Sequence, residues 1–298
     1  MSIKKLKITL TLLSIVTLSS GLFAKDVHIA IIDTGIDPTN TIFQNRLYVG
    51  GQEANHINYG VDFSVNAHQL NQPYDQHGHG THIAGIIATQ APKAKLHILK
   101  YYNPNASGEE NLASTIQALK YAIKINVDII NYSSGGPEPS YEEKKLFDLA
   151  NQKGILIVSA AGNEGQNIDV RGKEFFPASY RNKNIITVGA HDKNYKPLRS
   201  SNYGKISVDI FAPGKKIISE LPNNRRGYLS GTSQATAFVS ARVSKIMRML
   251  KTKNIHSIKD RLFKSSLRKK TVQGMCLTNG ILNLQQTDEI NRALASKN

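Results

Sequence analysis

Val27-His28-Ile29-Ala30-Ile31-Ile32-Asp33-Thr34-Gly35-Ile36-Asp37 is a short apolar run that breaks off in an aspartate and a glycine. A run of this length, bounded by Asp and Gly, suits a strand buried on both faces of a parallel sheet. The same signature returns at Lys95 to Tyr101, Val127 to Tyr132, Ile155 to Ala160, Ile185 to Val188 and Val208 to Phe211. Helical patterns lie between these runs. Leu112, Ile116, Leu119, Tyr121 and Ile123 recur at three-to-four spacing, as do Tyr141, Lys145, Leu146 and Leu149. Strands alternating with helices imply right-handed crossovers, so the expected fold is α/β, a doubly wound, mostly parallel sheet with helices on both faces. No linker interrupts the alternation, and one domain is expected over residues 25–298.

Composition sets the outer bounds. The 298 residues are 40% apolar and 20% charged, which describes an ordinary globular chain. A net charge of +16 suits nucleic acid, an anionic membrane or acidic substrates, and charge alone does not choose among them. The single cysteine, Cys276, excludes an intramolecular disulfide and a Cys-rich zinc or redox site. Residues 1–24 read as a secretory signal peptide: Lys4, Lys5 and Lys7 precede the apolar run Ile8 to Leu18, and Ser19, Ser20, Gly21 and Ala24 supply the small residues of a cleavage region. A membrane anchor needs about 20 apolar residues. This run is shorter and is broken by Thr9, Thr11, Ser14 and Thr17. Secretion to the periplasm or the exterior is expected, with a mature chain that starts near Lys25 and carries +13 once the three lysines are gone.

Chemistry in such a sheet gathers at the carboxyl ends of the strands, which is where Asp33 falls. Taken alone, an Asp-Thr-Gly there is also an ordinary turn. The stretch Asp75-Gln76-His77-Gly78-His79-Gly80-Thr81-His82 places three histidines within six residues. Helical zinc pairs stand at i and i+4 with a Glu between, whereas positions 77, 79 and 82 do not share one helical face and no Glu is present. A general-base histidine at a helix start, oriented by a carboxylate, fits better. In Leu229-Ser230-Gly231-Thr232-Ser233-Gln234-Ala235, Gly231 allows a tight turn into a long helix whose first turn carries Ser233, at the positive end of the helix dipole. A serine that merely caps the helix is the competing reading.

Together these motifs resemble the subtilisin-like (S8) serine peptidases, over nearly all of residues 27 to 284. The resemblance implies a triad of Asp33 from D-T-G, His79 as the first histidine of H-G-T-H, and Ser233 from G-T-S, leaving His77 and His82 structural roles. It further implies that Asn163, in Ala160-Ala161-Gly162-Asn163-Glu164-Gly165, is the oxyanion-hole donor. Asn131-Tyr132-Ser133-Ser134-Gly135-Gly136 resembles the family's N-M-S-L-G-G segment, in which main chain at the positions of Ser133 and Gly135 pairs with an extended peptide. Gly108, in Ala106-Ser107-Gly108-Glu109, resembles the glycine of the opposite binding strand, and Phe176-Pro177 the family's cis aromatic-proline pair. The chain departs from the family where the serine motif usually continues M-A-x-P and ends in glycine: Gln234, Ala237 and Ala241 stand there instead.

The function this implies is a secreted serine endopeptidase that hydrolyses peptide bonds through an acyl-enzyme on Ser233. Its partners would be protein or peptide substrates, with no nucleic acid, no cofactor and no metal, and it would act as a monomer with weak contact to anionic surfaces. The alternative is a non-catalytic secreted binding protein on the same scaffold, docking to anionic surfaces by its charge. The segment Lys251 to Thr271 bears on this: its eight basic residues against Asp260 make either a solvated helix face or a docking patch. The family's propeptide is not expected, since Lys25-Asp26 alone separates the signal from the first strand. No tight calcium site is expected over Ile86 to Pro92 either, which lacks the clustered oxygens that calcium takes.

Overall fold

A computed structural model describes residues 26–67 and 70–285. The expected signal segment, residues 1–24, lies outside them. Thirteen strands occur among the described residues: β1 Val27–Asp33, β2 Tyr48–Val49, β3 Gln52–Glu53, β4 Val61–Asp62, β5 Ala94–Lys100, β6 Ile129–Tyr132, β7 Leu156–Ala160, β8 Ile185–His191, β9 Ile210–Pro213, β10 Ile217–Leu221, β11 Arg225–Leu229, β12 Leu267–Arg268 and β13 Gly280–Ile281. The α-helices are α1 His79–Gln90, α2 Gly108–Lys124, α3 Tyr141–Gln152, α4 Thr232–Leu250 and α5 Ile255–Lys264. None of them is long and apolar enough to cross a membrane.

The main sheet runs β12-β13-β9-β8-β7-β6-β1-β5-β4. Every pairing from β13 to β4 is parallel, and only β12 is antiparallel. β1 explains why its sequence is apolar without alternation. Ile29 and Ile31 feed a core shared with Ile83 and Ile87 of α1 and Val239 and Val243 of α4, whereas Ala30 and Ile32 feed a second core with Leu119 of α2 and Phe147 of α3. Both faces of one strand are thus buried, as a doubly wound sheet requires. The order turns at β1. From there the chain reaches β5 and β4 on one side and β6 to β9 on the other, so β1 and β6 flank the switch point at which ligands collect outside the strand ends.

α4 is the deepest helix. Apart from the partly buried Phe238, every residue from Thr232 to Met247 is buried. Several of its hydroxyls bond within the core: Thr236 Oγ1 donates to the Thr232 carbonyl at 2.8 Å, and Ser240 Oγ to Asn131 Oδ1 at 2.8 Å. Gln234, Ala237 and Ala241, the departures from the family motif, are all buried in this helix.

Between α1 and β5 only residues 91–93 intervene, namely Ala91, Pro92 and Lys93. They offer no carboxylate and leave no loop for the six to eight oxygens a calcium ion takes, so that ion does not fit there. The basic segment is not a uniformly solvated face. Lys259 Nζ donates to the Ile185 carbonyl at 2.6 Å, Lys253 pairs with buried Asp128, and Lys264 pairs with Asp260 at 2.9 Å. The Phe176–Pro177 peptide bond is cis, as the resemblance implied.

Candidate active site

β1 ends in Asp33, which is buried and accepts from the Thr34 N–H at 2.8 Å. The same oxygen, Oδ1, meets His79 Nδ1 at 2.7 Å. A carboxylate only accepts, so the proton sits on Nδ1 and the Nε2 lone pair is left free. Burial of the imidazole opposes its protonation, but the charge and hydrogen bond of Asp33 and the charge of Asp75 outweigh it and raise the pKa of His79 above the usual value.

His79 opens α1, and two devices hold that helix start in place. The first is Asp75, fully buried, which accepts from Gly78 N at 2.7 Å, Thr81 N at 2.8 Å, Thr81 Oγ1 at 2.6 Å and Thr34 Oγ1 at 2.8 Å. The N-cap position is Gly78, in the left-handed region at φ 95°, and Asp75 supplies the cap that Gly78 lacks. The second is Gly80, where an added Cβ would meet the Gly35 carbonyl oxygen at 2.2 Å. The helix therefore approaches the Asp-Thr-Gly turn as closely as backbone permits. Sequence reasoning passed over Asp75, whose signal was a carboxylate three residues ahead of a glycine N-cap.

The other two histidines stand apart from this pair. His77 is exposed, with its ring edge-on to Tyr102. His82 is buried in α1, and its Nε2 lies 3.0 Å from the Ile217 carbonyl and 3.2 Å from that of Gly227, which ties the β10–β11 hairpin to the helix. Burial lowers its pKa despite those bonds.

Ser233 lies in the first turn of α4. The N-cap is Gly231, without a side-chain cap, and Ser233 Oγ donates instead to the Ser133 carbonyl at 3.1 Å. The capping reading of Ser233 is therefore excluded. Asn163, exposed just past β7, accepts through Oδ1 from Thr232 N at 3.0 Å and Thr232 Oγ1 at 3.2 Å. The Thr232 N–H can only donate, so it fixes the amide orientation and turns Nδ2 the other way. Thr232 is the second residue the sequence reading missed.

The main chain at Ser133, Ser134 and Gly135 makes no backbone–backbone hydrogen bond among the described residues, and Gly136 pairs with Phe176 in both directions at 3.0 and 2.7 Å. Apart from the Ser133 carbonyl, which Ser233 Oγ meets, these groups form an edge without backbone partners beside Ser233. Gly108 departs from expectation. It is the first residue of α2 and not part of an extended strand, because Ser107 and Glu110 close a capping box around it. No close approach requires glycine there, since a Cβ would meet nothing within 4 Å.

The model of the subtilase family matches residues 24–288. The major intracellular serine protease of Bacillus subtilis (strain 168) is 35% identical over 239 residues, covering 76% of this chain and 70% of that protein. The intracellular serine protease of Paenibacillus polymyxa is 31% identical over 283 residues, 90% of this chain and 82% of that protein. Subtilisin NAT of Bacillus subtilis subsp. natto is 33% identical over 253 residues, 82% of this chain and 61% of that protein. With a family match that spans the whole described sheet, the chain belongs to the subtilase family, the subtilisin-like serine peptidases.

Proposed function

We propose that this subtilase is a secreted serine endopeptidase in which Asp33, His79 and Ser233 act as one unit and Asn163 holds the oxyanion. The observation that carries the reading is the 2.7 Å contact between Asp33 Oδ1 and His79 Nδ1, which leaves Nε2 as the base. His79 Nε2 takes the Ser233 proton as Oγ attacks the scissile carbonyl. The negative oxygen that forms is met by Asn163 Nδ2 and the Ser233 N–H. His79 then passes its proton to the departing amine, leaving an ester on Ser233, and water enters by the same steps in reverse roles. The main chain at Ser133 to Gly135, which lacks backbone partners, supports an extended peptide as substrate. Residues 1–24 support export, although two of the relatives are named intracellular.

A fluorophosphonate probe tests the chemistry. The wild-type chain should be labelled and Ser233→Ala should not, and Asn163→Ala should lower kcat by about 10² to 10³ with little change in KM. Absence of label on both proteins at neutral pH would favour the non-catalytic binding scaffold. Mass spectrometry of the protein from culture medium should give an N-terminus near Lys25, and a cell-retained chain that begins at Met1 would overturn export.

A further inference from the structure

A cavity of about 450 Å³ opens beside the Ser134–Gly136 segment, and its lining includes Glu109, Glu138 and Glu143 but no lysine or arginine. Glu109 and Glu138 stand exposed at the rim, whereas Glu143 is 4% exposed.

The way Glu143 comes to face this space is visible in a pair of matching sequences. Ser107-Gly108-Glu109-Glu110 and Ser140-Tyr141-Glu142-Glu143 both carry the pattern of a capping box, Ser followed three residues later by Glu. In α2 the box closes, with the Ser107 N–H donating to Glu110 Oε2 at 2.7 Å. In α3 it stays half made. The Ser140 hydroxyl accepts from the Glu143 N–H at 3.2 Å, but the Ser140 N–H goes to the Tyr180 hydroxyl at 2.7 Å. The Glu143 carboxylate turns away from its own cap and accepts from the Tyr132 hydroxyl.

Tyr132 is thus the donor to Glu143, with the Tyr180 phenol beside it donating to the Ser140 carbonyl at 3.0 Å, and no ion pair reaches Glu143 among the described residues. A buried carboxylate answered only by a phenol is unfavourable as an anion, and burial raises its pKa accordingly. A cation that entered the cavity would reverse that balance.

We propose that this cavity receives a lysine or arginine side chain of the substrate, its stem lying along Tyr101, Leu112 and Phe176 and its charge reaching Glu143. Long basic side chains place their methylenes on apolar walls in this manner while the charged head finds a polar end. The inference rests on the reading of Ser133 to Gly135 as the substrate edge. Extended chain advances about 3.3 Å per residue. The cavity flanks Gly135, Gly136 and Pro137, beyond the Ser133 carbonyl that touches Ser233. The side chain admitted is therefore not the one next to the scissile bond but one a few positions away.

Quenched fluorescent peptides test this, matched except that lysine, arginine or norleucine stands in turn at each of four positions before the scissile bond. At one position other than the adjacent one, kcat/KM for lysine and arginine should exceed that for norleucine at least tenfold. In Glu143→Gln the ratio should fall below threefold, and the rim variant Glu109→Gln/Glu138→Gln should reduce it in part. Equal rates for lysine and norleucine at all four positions, or a basic preference that survives in Glu143→Gln, would overturn the proposal. Calorimetric binding of the same peptides to Ser233→Ala repeats the comparison without turnover, so failure of the serine mechanism and failure of the pocket are read separately.

Discussion

His79 stands under opposed influences: burial of its ring favours the neutral form, and the carboxylates of Asp33 and Asp75 favour the charged one and prevail. A general base must be neutral to act. Its raised pKa means that protonation persists to higher pH than for a free imidazole, so kcat/KM for an uncharged peptide should fall as pH drops through a value above 6.5. A pH profile whose acid inflection lies below 6.5 would contradict this assignment. The meeting of Asp33 with His79, and the places of Ser233 at the start of α4 and of Asn163 past β7, were legible in the sequence because each residue sits in a glycine-bounded motif whose local structure is short-range. Asp75 and Thr232 were not. Their contribution is to hold other groups, and it exists only once the Asp-Thr-Gly turn has met α1 and the end of β7 has met α4.

At the scale of elements, the contact between α1 and β1 depends on Gly80. A methyl group there would fall 2.2 Å from the Gly35 carbonyl, on a turn held in place by the Ile36 N–H donating to the Pro73 carbonyl at 2.9 Å. Overpacking a buried contact costs about 1–3 kcal/mol. Gly80→Ala should therefore lower the melting temperature and also lower kcat/KM through displacement of His79 from Asp33. A variant with wild-type values of both would show that the close approach is incidental. The six apolar runs became β1 and β5 to β9 because strands buried on both faces leave a plain compositional mark. The β10–β11 hairpin left none: Ile217 to Leu229 mixes Ser, Glu, Asn, Arg and Gly with apolar residues, and the hairpin owes its place to His82. Gly108 was misplaced for a related reason, since a glycine signals a bend without saying whether a strand or a helix follows. Ser107 and Glu110 carried that information.

Across the whole molecule, the end of the sheet opposite the site holds a pair of histidines. His97 of β5 is buried, and its Nε2 lies 2.8 Å from Nδ1 of His28 in β1. Burial and the neighbouring imidazole push its pKa down to about 3. The folded chain therefore keeps His97 neutral where the unfolded chain protonates it, so its contribution to stability is present above pH 6.5 and is lost progressively as pH falls toward 3. By pH 5 the loss is roughly 2 kcal/mol, at 1.36 kcal/mol per unit. Melting temperatures of Ser233→Ala at pH 7 and pH 5 should differ by more than those of the same protein with His97→Gln added. Equal differences would remove His97 from the acid response.

The burial of α4 from Thr232 to Met247 has a further consequence at this scale. The helix that presents Ser233 runs through the core, packed with α1, α5 and the sheet. Warming cannot loosen Ser233 without dissolving the sheet its helix leans on. In a solution of such a peptidase, heat divides the copies into two kinds, intact ones that cut and opened ones that are cut. Inactivation then becomes an encounter between molecules, quicker in concentrated solutions than in dilute ones.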